Sequence, residues 1–154
     1  MVDGSCTYCL VKSCESGSTN GSECTIKFKR ALIILRNGYH SYDFNVNILL
    51  ELTNYIESDL NNLIKFYFGH TIIGLIENVR LEKSLPLLDS NESIMDIALK
   101  CGYNDADVFS KAMKRRLSHS PMYYRKLFKQ TNDKENLLKK LIDELWNNNM
   151  RKLF

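Results

Sequence analysis

Ala106, Asp107, Ser110 and Lys111 have the types and spacing that could read a nucleic acid. On a helix they fall on one face, with Lys114 one turn beyond Ser110. Lysine donates to guanine O6 or N7, a serine hydroxyl adapts to either role, and an alanine methyl can touch a thymine methyl. Asp107 is repelled by phosphate but can accept from a cytosine amino group, and a solvated face explains it equally well. Arg115 and Arg116 follow Lys114, so four cations cluster on and after one segment. A second set of chemistry-bearing residues is Cys6, Cys9, Cys14 and Cys24. Cys6 and Cys9 have the C-x₂-C spacing of a zinc ligand pair, and two more thiolates would complete a tetrahedral site. Cys14 and Cys24 have nine residues between them and form no second knuckle. Structural zinc, a redox-responsive thiol set and a tail with incidental cysteines all stay open.

The elements that must position the first set are legible around it. Ile94, Ile97, Ala98 and Cys101 recur at helical spacing, and Gly102 stands where a left-handed residue ends a helix. Asp105 is placed to cap the next helix, whose inner face is Phe109, Ala112, Met113 and Leu117. Helix, tight turn and helix with a polar outer face form the layout of a helix-turn-helix, whose second helix enters the DNA major groove. An ordinary helical hairpin is the competing reading. Cys101, on the apolar stripe, reads as a small buried hydrophobe.

The run continues through Ser120-Pro121 to Tyr124-Arg125. Together with Gly102-Tyr103-Asn104-Asp105, Phe109-Ser110 and Lys114, it resembles the carboxy-terminal signature of AraC/XylS-type bacterial transcription regulators. The other half of that family's domain is also recognisable. Val46, Leu49 and Leu50 lead to Asn54-Tyr55, then Leu60, Leu63 and Ile64, then Gly69-His70-Thr71. Residues 75–83 look like the family's linker helix, followed by Leu87-Leu88. The resemblance covers roughly residues 25–127 and implies a sequence-specific DNA-binding regulator. It further implies an activator that works with RNA polymerase on a double-stranded promoter site. Carried over position by position, it assigns base-facing roles to Ala106, Asp107, Ser110 and Lys111, with Lys114, Arg115 and Arg116 beside them. In the first unit the matching positions are Ser58, Asn61, Asn62 and Lys65.

The expected fold is therefore all-α, with two helix-turn-helix units joined by a linker helix and a C-terminal helical extension. Residues 1–24 form a flexible or metal-binding segment, and the DNA-binding domain spans 25–127. Within it the first unit covers about 25–70, the linker helix about 71–88 and the second unit about 89–127. Leu60 and Phe109 anchor the two second helices at matching positions. Asn54 still fits a left-handed turn, because Asn visits that geometry more readily than most residues. Pro86 should end the linker helix near Leu85. Glu57 and Asp59 favour the dipole at the start of the first reading helix but discourage a phosphate from docking there. The first unit thus reads as the weaker reader.

Beyond Phe128, Asn132 with Glu135 forms a capping box, and Leu137, Leu138, Leu141, Ile142, Leu145 and Trp146 form an apolar stripe. That stripe either packs back on the domain or serves self-association or a protein partner.

Composition sets broad bounds. The chain has 154 residues, 44% hydrophobic, with a net charge of +3, which suits one domain with tails. Residues 39–125 carry nine basic against eleven acidic side chains, so non-specific attraction to DNA is weak and clustering must supply it. No apolar run approaches a membrane span, and the start has no secretory pattern, so a cytoplasmic protein is expected. His40, His70 and His119 are scattered without a nucleophile or paired carboxylates, and conventional catalysis is not expected. No cofactor is expected beyond the zinc option. Activity set by the protein's abundance fits a chain with no room for a large sensing domain. Its many Asn, Ile and Lys residues suggest an AT-rich, horizontally acquired gene, and through that a virulence or stress regulon. Two other readings stand beside this one. One is an antagonist that binds another regulator, and the other a cysteine-dependent DNA-repair regulator, for which the cysteine segment is too short.

Overall fold

The computed structural model describes residues 21–146, with side chains from Thr25 onward. Among the described residues the fold is all-helical, as the pattern of apolar positions predicted. The helices are α1 (Gly21–Gly38), α2 (Val46–Thr53), α3 (Glu57–Phe68), α4 (Ile72–Ser84), α5 (Ile94–Lys100), α6 (Ala106–Leu117), α7 (Pro121–Gln130) and α8 (Lys134–Trp146). A single 3₁₀ turn, Pro86–Asp89, follows α4. Helix α2 with α3 makes the first helix-turn-helix, α5 with α6 the second, and α4 joins them. Helix α1 begins at Gly21, four residues ahead of the expected boundary.

Each boundary has a local cause. Asn54 ends α2 in the left-handed region at φ 56°, and Gly102 sits at φ 84° after α5. A Cβ on Gly102 would lie 2.1 Å from the Tyr39 carbonyl oxygen, so both conformation and space require glycine there. Asp105 Oδ1 accepts the amides of Asp107 and Val108, capping α6. The α3 start has no such device, because Ile56 occupies the cap position. Helix α4 stops at Ser84, with Leu85 as its cap and Pro86 opening the 3₁₀ turn, where proline needs no donor. Ser120 caps α7, which opens with Pro121. The cap of α8 corrects the expectation. Asp133 Oδ1 accepts the Asn136 amide, so the helix starts one residue later than an Asn132–Glu135 box would place it.

One core runs through both units. Leu49, Leu60 and Leu63 come from the first, Leu75 and Leu81 from the linker, and Ile97, Phe109 and Met113 from the second. Cys101 is buried in it, and burial pushes its thiol up to about 11, so the thiol stays protonated.

The linker helix α4 is tied to everything around it. Arg80 donates through Nε to the Tyr39 carbonyl at 3.0 Å and through Nη2 to those of Ser41 and Phe44 at 3.0 and 2.9 Å. Its guanidinium thus satisfies the loop between α1 and α2 while lying 5.7 Å from the Tyr103 ring of the second turn. Helix α8 lies against α4 and α6. Its Leu141, Leu145 and Trp146 are buried, so the apolar stripe packs back on the domain. Fully buried Asn78 donates its amide hydrogens to the Leu145 carbonyl at 3.0 Å and toward His70 Nε2 at 3.1 Å. Trp146 Nε1 donates to Glu82 at 2.6 Å, and Lys134 pairs with Asp89.

Candidate nucleic-acid interface

Helix α6 buries Phe109, Ala112, Met113 and Leu117, which turns the opposite face outward. Asp107, Lys111 and Lys114 are exposed on that face, and Ala106 and Ser110 are half-buried beside them. Asp107 and Lys111 stand about 6 Å apart along the axis, one helical turn. The face therefore offers one carboxylate, one hydroxyl and two ammonium groups with no ion pair among them. Val108 joins it, half exposed. It escaped the sequence reading, although its place just before the inner-face Phe109 was the available signal. Its methyls suit contact with a thymine methyl.

Arg115 and Arg116 are placed differently from the rest of that set. Arg115 Nη2 donates to Glu77 Oε2 at 2.7 Å and Arg116 Nε to Glu77 Oε1 at 3.0 Å. Glu77 lies on α4, so both arginines tie the end of α6 to the linker. A mostly buried carboxylate held by two guanidinium groups fixes their geometry more firmly than an exposed pair would. They are engaged within the fold, and Arg115 is the more exposed of the two.

In the first unit Ser58 and Lys65 are exposed and Asn61 and Asn62 are half-buried on α3. Asn61 Oδ1 accepts the Ile72 amide at 2.9 Å, satisfying one orphan donor at the start of α4. One lone pair of its oxygen is thus engaged by the linker, which holds the side chain in place and leaves the amide nitrogen as its freest group for a ligand. That role escaped the sequence reading, since it rests on a contact between two helices. Glu57 and Asp59 are exposed at the start of α3, as their positions suggested. Lys27 adds support from α1: its ammonium donates to the Asn54 carbonyl at 2.9 Å and lies over the Tyr55 ring.

The two closing turns repeat the same parts. Gly69 ends α3 and Ser118 ends α6, both with positive φ, and Thr71 and Ser120 cap the helices that follow. His70 lies within the contacts of α8, with Trp146 at 6.3 Å between ring centroids. Burial, and then the charge of Arg116, hold His70 below its ordinary pKa. His119 instead stacks on Tyr123 at 3.9 Å. Tyr124 donates its hydroxyl to the Leu117 carbonyl, which locks α7 to the end of α6. Arg125 donates to the carbonyls of Leu88 and Glu92, fixing the second unit to the 3₁₀ turn.

Cys6, Cys9 and Cys14 lie outside the described residues, and Cys24 is described only as backbone within α1. No described helix is long and apolar enough to cross a membrane.

Comparison with known proteins bears on this geometry directly. A family model described as a helix-turn-helix domain matches residues 49–127, which run from α2 into α7. The raffinose operon transcriptional regulatory protein RafR of Pediococcus pentosaceus is 36% identical over 103 residues, covering 66% of this chain and 37% of RafR. The chain thus spans about a third of that relative's length. Among solved structures, the C-terminal domain of the response regulator AraT from Geobacillus stearothermophilus is 28% identical, with a TM-score of 0.62 over 66% of this chain and 84% of that one. The DNA-binding domain of AdpA, solved with a target DNA, shares the fold at 18% identity and a TM-score of 0.62, covering 67% and 93%.

Proposed function

Because the chain belongs to the AraC-type helix-turn-helix family of DNA-binding transcription regulators, we propose that it activates transcription from a bipartite promoter site that α6 reads more strongly than α3. The carrying observation is the contrast in what the reading faces are bonded to. Lys111 and Ser110 lie on an outer face with no ion pair, whereas Asn61 is tied to the Ile72 amide. Two units joined through α4 suit successive major-groove faces, about 34 Å apart, without a dimer.

In this reading Lys111 donates to a guanine edge, Ser110 adapts to its neighbour, and Ala106 and Val108 meet thymine methyls. Lys114 contacts phosphate, and Asp107 accepts from a cytosine amino group or disfavours other bases. Arg115 and Arg116 act mainly by holding α6 against α4, with Arg115 at the edge of phosphate reach. In the first unit Ser58, Asn62 and Lys65 make the contacts, and the Asn61 amide nitrogen adds one at most. RNA polymerase is the partner through which an activator acts, the protein's abundance sets its activity, and the cytoplasm is its place of work. Thiolate chemistry at Cys6, Cys9, Cys14 and Cys24, with zinc as the candidate metal, is a separate question from this interface.

Selection of bound sequences from random duplexes, followed by titration of the winner at several salt concentrations, tests the proposal. A two-part motif with one strongly and one weakly constrained half is expected. Equal affinity for the selected and random duplexes at every salt concentration would overturn it and favour a regulator-binding antagonist.

A further inference from the structure

The described residues line an open cleft of about 290 Å³ where the first unit, the linker helix and the second turn meet. Its apolar lining is Phe44 and Val46 from the start of the first unit and Ile73 and Ile76 from α4. Arg80 and Tyr103 supply the polar part. Tyr103 is 6% exposed, and its hydroxyl has no hydrogen-bond partner among the described residues. Buried hydroxyl groups are nearly always paired, so an unpartnered one beside a cleft asks for an acceptor. Burial and the neighbouring Glu77 charge raise the Tyr103 pKa, so the hydroxyl remains a donor.

Charge narrows the chemistry further. Arg80 has no carboxylate within ion-pair distance among the described residues; its bonds are to three carbonyls, through Nε and Nη2 only. Glu77 also lines the cleft, but Arg115 and Arg116 share its carboxylate. The surroundings therefore hold an excess of positive charge that an anion would balance. The volume is at the small end of ligand sites, which run to roughly 300–1,000 Å³.

We propose that this cleft binds a small organic carboxylate with an apolar body, its head toward Arg80 and Tyr103 and its body against Phe44, Val46, Ile73 and Ile76. Every one of the three bodies that must keep a fixed relation on DNA contributes to the lining. An occupant that fits one arrangement of the units better than others shifts DNA affinity by that difference, and DNA shifts ligand affinity by the same factor. This coupling rests on the two-unit reading above; the binding itself does not.

The test titrates the ¹⁵N-labelled full chain, without DNA, with sodium benzoate and sodium hexanoate, using benzyl alcohol as the neutral control. Saturable amide shifts at Asn45, Val46, Ile76 and Tyr103 are expected for the carboxylates, with benzyl alcohol at least about tenfold weaker. Tyr103→Phe keeps the ring and should weaken binding about threefold to tenfold. Ile73→Trp, at a residue already 66% exposed, should occupy the space and abolish the shifts while the chain still folds. Melting curves confirm that both variants are folded. Shifts that do not saturate, that centre elsewhere, that benzyl alcohol reproduces, or that survive in both variants would overturn the proposal. DNA titration without ligand, run in parallel, reports separately on the two-unit reading.

Discussion

In the first unit Asn61 Oδ1 accepts the amide of Ile72; in the second the residue at the matching place is Pro121, which has no amide hydrogen to satisfy. Ser110, which matches Asn61 in the repeat, is thereby spared a capping duty. The same pairing recurs at the start of each reading helix, where Ile56 leaves α3 without a side-chain cap and Asp105 caps α6. Elsewhere the frames agree, with Gly69 and Ser118 as left-handed stops and Thr71 and Ser120 as caps. The difference teaches that one frame serves two purposes. In the first unit the tie to the linker uses Asn61, a residue of the reading face, and in the second it uses Arg115 and Arg116 at the end of α6, which leaves Ser110 and Lys111 to a ligand.

The largest expected effect breaks the frame common to both units. Arg80→Ala removes the donors that satisfy three carbonyls of the α1–α2 loop and should destabilise the fold by about 3–5 kcal/mol. Urea denaturation measures it, and a loss under about 1 kcal/mol would mean that water replaces the guanidinium without cost. Next comes the capping contrast. Asp105→Ala should cost about 1 kcal/mol, and Ile56→Asp should recover part of that sum for α3, although Glu57 and Asp59 nearby reduce the gain by repulsion. If Ile56→Asp destabilises, the α3 start depends on Ile56 packing and the comparison needs redrawing.

The smallest effect concerns His70. His70 is held below its ordinary value of 6.5 by burial and by Arg116, with Asn78 and Trp146 against it. The unfolded chain therefore takes up the proton first as pH falls. The contribution of neutral His70 is complete above about pH 6.5 and declines as pH drops below it. His70→Gln should flatten the fall in stability between pH 7 and 5, measured by thermal melting at each pH. An unchanged slope would place the titration elsewhere.

Much of this frame was legible in the sequence because its signals are local. Asp105, Pro86 and the Asn54 turn each act through their own backbone or the next few residues, and so does the positive φ of Gly102, though not its approach to the Tyr39 carbonyl. The apolar spacing of Leu60, Phe109 and their neighbours depends only on helical geometry. The α8 cap was read one residue early because Asn132 and Asp133 are both good caps, and the docking of Leu141, Leu145 and Trp146 bears on which is used. What spacing alone did not show were bonds between distant segments: Arg80 to three loop carbonyls, Asn78 to Leu145, Asn61 to Ile72, and Glu77 to Arg115 and Arg116. Those last bonds matter most for the interface, since a cluster of four cations after Ser110 divides into Lys111 and Lys114 facing outward and two arginines bonded to Glu77.

The central claim is that the second unit is the stronger reader, and a matched pair of double variants tests it most directly. Ser110→Ala with Lys111→Ala alters the α6 face, and Ser58→Ala with Asn62→Ala alters the α3 face without disturbing the Asn61 bond to Ile72. Titrating both, and the parent, against the selected duplex and random DNA at one salt concentration gives the comparison. The α6 pair should lose about 1–3 kcal/mol of specific affinity and relax preference in one half of the site, with little change on random DNA. The α3 pair should lose less. A larger loss from the α3 pair, or an equal loss on selected and random DNA from the α6 pair, would contradict the account.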